Sequence, residues 1–323
     1  MNIGGCMKKL FLLVMFLAVI AVPSYSKVIE IGITQIVEHP ALDACRKGII
    51  DKLKEMGYED GKNVRYDIQI AQGNIATANQ IAKKFVGDKK DLIVAIATPS
   101  AQAVANLTKN IPIVISAITD PVGAKLVKSL QKPGGNITGT TDMSPVKEQI
   151  ALFDRLKIPV RRLGVIYNSG EANSRSLVDI LKNVAKNKGL AVVEATVTNS
   201  SGVLMAAKSL VGKVDAIYIP TDNTVISALE SVLQVSFENK IPVITGDTDS
   251  VVRGALASLG MDYYKLGLQT GIIIAKILKG EKPANIPVET LKDLDLYINE
   301  STAQKLGIKI DPELLKSAKK VIK

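Results

Sequence analysis

The sequence nearly repeats itself. IPIVISAITDPVGA begins at Ile111 and IPVITGDTDSVVRGA at Ile241, an offset of 130 residues. Within these segments Thr119-Asp120 matches Thr248-Asp249 at an offset of 129, while Gly32 matches Gly164 and Gly57 matches Gly189, both at 132. Four matches in order, at nearly constant spacing, point to two lobes of similar topology.

Each half alternates strand-length apolar runs with helix-length stripes. In the first, Val28–Thr34, Val64–Ala71, Leu92–Ala97 and Ile111–Ile118 read as strands. Leu42, Cys45, Ile49, Leu53 and Met56 form one helical face that Gly57 ends, and Thr77–Val86 is a second helix. Thr98-Pro99 reads as an N-cap followed by proline at the first helical position. In the second half Leu163–Asn168, Ala191–Val197, Ala216–Pro220 and Ile241–Thr245 are strands; Leu177, Ile180 and Val184 mark one helix, and Ile226, Leu229 and Leu233 another. Apolar strands alternating with helices predict an α/β fold of two lobes, each a parallel sheet covered on both faces. Beyond the second half come an apolar helix, Tyr264–Leu278, and a strand, Leu294–Ile298. These surplus elements predict a multi-strand hinge, with residues 27–142 plus 264–287 in one lobe and 143–263 plus 288–323 in the other.

The first 26 residues are expected to lie outside this fold. Lys8 and Lys9 precede 13 unbroken apolar residues, Leu10–Val22, then Pro23 and the small residues Ser24 and Ser26. That is the pattern of a cleaved secretory signal peptide, too short to span a membrane. Cys6 precedes the apolar run and is badly placed for lipid attachment, so the expectation is a soluble mature chain starting near Lys27, not a lipoprotein. Such a chain has 297 residues, a charge of +8 and one cysteine, Cys45, hence no internal disulfide. Its lysines are scattered among acids on solvated helix faces, which with export argues against nucleic acid. One histidine and two distant cysteines leave little for a zinc site, and no other metal or cofactor is expected.

Ligands of open parallel sheets bind beyond the carboxyl ends of the strands. Those ends carry Gln35, His39, Thr98, Ser100, Thr119, Asp120, Asn168, Ser169, Glu171, Asn173, Ser174, Asp222, Asn223 and Asp247. These residue types also cap helices, and helix starts attract anions, so the two roles coexist. Catalytic patterns are absent: there is no G-x-S-x-G elbow, no Walker loop and no G-x-G-x-x-G after a strand. Pro133-Gly134-Gly135-Asn136 precedes a strand and reads as a turn. Cys45 lies on an apolar stripe and reads as a core thiol.

EHPALDACRKGI (38–49), AIATPSAQAVAN (95–106), TDPVGAKLVKS (119–129), PGGNITGTTDM (133–143), GVIYNSGEANS (164–174), IPTDNTVIS (219–227) and GALASLGMDYYKLGLQTG (254–271) together resemble the ABC transporter substrate-binding family associated with tryptophan and tyrosine uptake. The resemblance covers essentially all of residues 27–323. It implies a type I periplasmic-binding fold, two Rossmann-like lobes joined by three crossovers, in a free periplasmic protein with no catalysis, an amino-acid ligand and an ABC permease as partner. For such a zwitterion, Thr98 and Ser100 suit the carboxylate, Asn168, Ser169, Asn173 and Ser174 crowd one loop, and Asp222, Asp247 and Glu171 are candidates for the ammonium. Tyr167 and Tyr263 are expected to flank the cleft. The alternatives are a ligand-binding component of a chemosensory system, a receptor for a different small solute, and an exported enzyme on the same architecture. Absence of tryptophan disfavours a sugar ligand.

Overall fold

The computed structural model describes residues 27–323, and the signal-peptide expectation lies outside them. The chain builds β1 (Ile29–Gln35), α1 (Pro40–Glu55), β2 (Val64–Ile70), α2 (Ile75–Gly87), β3 (Leu92–Ile96), α3 (Thr98–Ala105), β4 (Ile113–Ile118) and β5 (Ile137–Thr141) in sequence. It then builds α4 (Val146–Arg155), β6 (Arg162–Asn168), α5 (Ala172–Lys188), β7 (Ala191–Val197), α6 (Val203–Ser209), β8 (Ala216–Ile219), α7 (Asn223–Ser227), α8 (Leu229–Asn239), β9 (Val243–Thr245), α9 (Asp249–Val252) and β10 (Ala257–Gly260). The tail adds α10 (Tyr263–Leu278), β11 (Glu289–Thr290), β12 (Asp295–Asn299), α11 (Glu300–Leu306), α12 (Pro312–Ser317) and β13 (Lys320–Ile322).

The sheets run β11-β5-β4-β3-β1-β2 and β13-β12-β10-β9-β8-β6-β7. Without their tail strands, both have the same order from one edge to the other, which is the duplication seen in the sequence. Gly32 of β1 and Gly164 of β6 hold equivalent places, and both are crowded, by the Phe85 ring and by Leu210 and Val214 respectively. Pairing is parallel except between β10 and β12, which is antiparallel, a departure from the all-parallel expectation. A strand arriving from the other lobe need not complete a crossover helix, so it is free to enter in reverse.

The chain passes between the sheets after β5, after β10 and after β11. The middle passage sends α10 back onto the first lobe, where Tyr263, Leu266, Ile273, Ile274 and Ala275 join its core. Tyr263 therefore belongs with the first lobe, and so do Val288 and β11, which pairs with β5. The expected boundaries at 264 and 288 shift accordingly, because the last passage falls between Thr290 and Asp295. Two further corrections concern helices. The segment expected as one helix around Leu229 is broken at Ala228 into α7 and α8. Thr98 is the first residue of α3, not its cap; that place is taken by Ala97, at φ 72°.

α10 docks on α1 backbone to backbone. A Cβ on Gly48 would stand 2.2 Å from the Tyr264 carbonyl oxygen, and one on Gly267 would stand 2.1 Å from that of Cys45. Beneath this crossing lies a buried hydroxyl cluster. Ser116 Oγ meets Thr270 Oγ1 at 2.8 Å, Thr140 Oγ1 at 3.2 Å and the Cys45 thiol at 3.0 Å. The polar strand β5 can thus be buried, because its threonines are partnered. Its Gly139, at φ 147°, lies against the Ile115 carbonyl where β4 bulges. The bulge sets Ala117 at φ 55°, beside the cleft.

Gly267→Val should lower stability by about 1–3 kcal/mol or more, since backbone stands where its side chain would go. Gly87→Ala, at an exposed helical position with no neighbour within 4 Å, should raise it by about 0.4–1 kcal/mol. Thermal denaturation of the two variants beside the parent measures both signs.

Candidate functional site

The carboxyl ends of both sheets face one cleft. Its cavity is lined from the first lobe by His39, Ala41, Leu42, Thr98, Ala117 and Thr119, and at the passages between lobes by Asp142 and Tyr263. The second lobe contributes Asn173, Thr221, Asp222, Asn223, Ile226 and Asp247. The free space left between these side chains is about 20 Å³, room for about one water molecule, so a larger ligand requires the lobes or the lining side chains to yield.

Three aspartates reach this cavity and no lysine or arginine lines it. Asp142 accepts from Tyr263 Oη at 2.6 Å and from Thr119 Oγ1 at 3.2 Å. Asp247 accepts from the amide and hydroxyl of Ser250 at 2.8 and 2.7 Å. Asp222 caps α7 through Val225 N at 2.7 Å and also accepts from Asn168 N and Ser174 Oγ, each at 2.6 Å. Burial raises all three carboxyls above the ordinary carboxylate range, and nearby Glu171 adds to this at Asp222. The imidazole of His39 is held down at about 3 by burial and then by the Arg253 guanidinium. It is therefore neutral at pH 7 and offers no counter-charge. Among the described residues no group of His, Cys, Asp and Glu could hold a metal ion.

The lining also carries polar atoms without protein partners: Thr98 Oγ1, Thr221 Oγ1, Asn173 Oδ1 and His39 Nδ1. Buried polar groups are nearly always partnered, so their convergence marks where a ligand's polar groups belong. Local backbone helps aim them. Ala97 and Ala117 sit at positive φ, each costing about 1–3 kcal/mol and retained where the surroundings over-determine them. Ala97 turns the chain sharply from β3 into Thr98.

Of the residues expected at the site, His39, Thr98, Thr119, Asn173, Asp222, Asn223 and Asp247 line the cavity. Gln35, Ser100, Asp120, Asn168, Ser169, Glu171 and Ser174 do not. Gln35 is engaged by Val37, Asp43 and Arg46. Ser100 is buried without reaching the cavity, and Ser169 is exposed. Asn168 Nδ2 donates to Thr224, its Oδ1 accepts from Gly170, and Ser174 donates to Asp222. Glu171 anchors the start of α7. Asp120 accepts from Gly123 N and, across the lobes, from Ser176 Oγ at 3.2 Å. Tyr263 flanks the cavity, whereas Tyr167 points away and donates to Glu194 at 2.7 Å. Asp142 was not expected; it stands in the passage after β5, and only its place beside a strand end could have suggested it.

A cleft between two duplicated α/β lobes, crossed three times by the chain and lined by unpartnered polar groups, is the type I periplasmic-binding fold. The chain belongs to the ABC transporter substrate binding protein family, whose model matches residues 30–322. The role of that family is extracytoplasmic substrate binding. The chain is 48% identical over 279 residues to a tyrosine-binding protein of Clostridioides difficile, covering 86% of this chain and 81% of that one. The solved ABC domain from Streptococcus pneumonia in complex with L-Trp is 40% identical, with a TM-score of 0.88 over 92% of this chain and 100% of that one. A ligand-free, open substrate binding protein with adhesive properties from Clostridium difficile is 46% identical but has a TM-score of 0.69, over 91% of this chain and 99% of that one. The lobes here approach closely enough for Ser176 to hydrogen-bond Asp120 across the cleft. No helix among the described residues is long and apolar enough to cross a membrane.

A carboxyl whose folded pKa is raised stabilises the fold below its unfolded pKa and loses that contribution as pH rises through the folded value. Asp247→Asn can keep both contacts to Ser250. Relative to the parent, the ligand-free variant should therefore gain stability between pH 4 and pH 7. Chemical denaturation of the pair at both pH values checks the sign.

Proposed function

We propose that this protein is the periplasmic receptor of an ABC importer and binds an aromatic amino acid, tryptophan-like or tyrosine-like, between its lobes. The observation that carries the reading is a cleft between the lobes with three buried carboxylates and no lining cation. Such a cavity favours a ligand that brings its own positive charge. The ammonium belongs among Asp142, Asp222 and Asp247. The carboxylate belongs with the hydroxyls of Thr98 and Thr221. The ring belongs beside Leu42, Ala117, Ile226 and the face of Tyr263. The names of the two related proteins, one tyrosine-binding and one holding L-Trp, support the solute class.

In this reading the protein is not an enzyme. His39 Nδ1 has no partner, and Cys45 is buried outside the cavity with its thiol pushed up to about 12. Export with cleavage near Ser26 and delivery to a permease complete the proposal.

Calorimetry with L-tryptophan, L-tyrosine and L-phenylalanine tests it. At least one should bind, and its N-acetyl derivative should bind at least about tenfold more weakly, because the charge-assisted hydrogen bonds are lost. Asp247→Asn should weaken binding about ten- to a hundredfold by the same loss. The carboxylates must be ionised to hold the ammonium, and their pKa values are raised. Affinity should therefore fall as pH drops from 7 to 5, while His39 stays neutral throughout. Failure of all three amino acids to bind would remove the aromatic reading.

A further inference from the structure

Among the described residues, one hydrogen bond between side chains joins the lobes away from the passages: Ser176 Oγ donates to Asp120 Oδ2 at 3.2 Å. The acceptor is held in place from within the first lobe. Gly123 N donates to Asp120 Oδ1 at 2.8 Å, which leaves Oδ2 for the partner. A Cβ on Gly123 would stand 2.2 Å from Oδ2, so the carboxylate lies over a position that only glycine leaves open. The same turn is closed by Ala124 N, which donates to the Asp120 carbonyl at 2.8 Å.

Neither residue lines the cavity, but each stands near one that does. Asp120 follows Thr119. Ser176 lies three residues beyond Asn173 on α5, hence on the same side of that helix. Close by, Gly170, on the turn that leads into α5, shares a groove with Pro99, Gln102 and Leu126 of the first lobe. The start of α5 therefore lies along the rim of the first lobe, and the Asp120–Ser176 pair spans that rim. Both residues are half-buried, so water replaces their contact when the lobes part.

We propose that Asp120 and Ser176 are positioning residues that latch the lobes: they set ligand affinity by holding the cleft shut, without touching the ligand. Closing the empty cleft buries three carboxylates with no opposite charge on the lining, which keeps the closed fraction low. Apparent affinity is the intrinsic affinity of the closed form multiplied by that fraction. A contact made only on closure therefore raises affinity by its full equilibrium factor, and it does so by slowing release. Its loss leaves association through the open cleft unchanged. The effect on affinity rests on the amino-acid reading above; the latch does not.

Ser176→Ala should raise the dissociation constant of L-tyrosine or L-tryptophan about three- to tenfold, through the release rate measured by stopped flow. Ser176→Asp sets two carboxylates against each other and should weaken binding further. Asp120→Asn keeps an acceptor for Gly123 N and turns a donor toward Ser176, so alone it should stay within about threefold of the parent. In S176D the same change replaces repulsion by an N–H···O bond, so D120N/S176D should bind more tightly than S176D. A merely structural role would add the two losses instead. An S176A affinity within about twofold of the parent, or a double variant no tighter than S176D, would overturn the latch. Lobe contact is also read without ligand. A spin label on Val122→Cys, exposed on the turn after Asp120, should broaden the amide signals of α5 in the parent, less in S176D, and again in D120N/S176D. Equal broadening in all three would overturn the latch. Should S176D not fold, S176A takes its place against the parent in both measurements. If neither amino acid binds the parent, the amino-acid reading fails while the spin-label comparison still decides this proposal.

Discussion

The contact between α1 and α10 holds the site together. Gly48 and Gly267 let the two backbones meet with no side chain between them. Gly271 against Lys52 and Ile49 continues the contact one turn further along both helices, so they run in the same direction. Both N-termini therefore face the cleft: α1 brings His39, and α10 brings Tyr263. The Tyr263 hydroxyl then meets Asp142, which stands in another passage between the lobes. Two of the three passages are thereby joined by one hydrogen bond within the cavity itself.

That arrangement makes closure and binding one event. The cavity exists only while the second lobe brings Asn173, Asp222, Asn223 and Asp247 against the first. Outside it, the Ser176–Asp120 contact adds a hydrogen bond between the lobes. Closure without a ligand buries three carboxylates with no opposite charge on the lining, an unfavourable state. A ligand's ammonium offsets that cost, and its affinity for the closed form is what shifts the population.

The duplicated half was legible in the sequence because strand and helix periods differ sharply and because the repeats kept their spacing. Gly57 and Gly189 end equivalent helices, and Ile111 and Ile241 begin equivalent buried segments. The return of α10 to the first lobe was less legible. Its apolar stripe says that it is buried, but the partner is set by Gly48 on a helix over 200 residues earlier. The antiparallel entry of β12 carried no local signal either. At the site, residue type did not separate ligand-facing groups from structural ones. Asp222 and Glu171 are both buried carboxylates beside α7, yet one lines the cavity and the other is covered by five hydrogen bonds. Asp142 escaped notice because it follows β5, whose buried threonines do not read as an apolar strand.

A crystal structure of the protein with L-tryptophan or L-tyrosine tests the central claim most directly. The ammonium nitrogen should lie about 2.7–3.2 Å from at least two of Asp142, Asp222 and Asp247, with the lobes closed around it. A ligand bound outside this cavity, or one whose carboxylate faces the three aspartates, would contradict it.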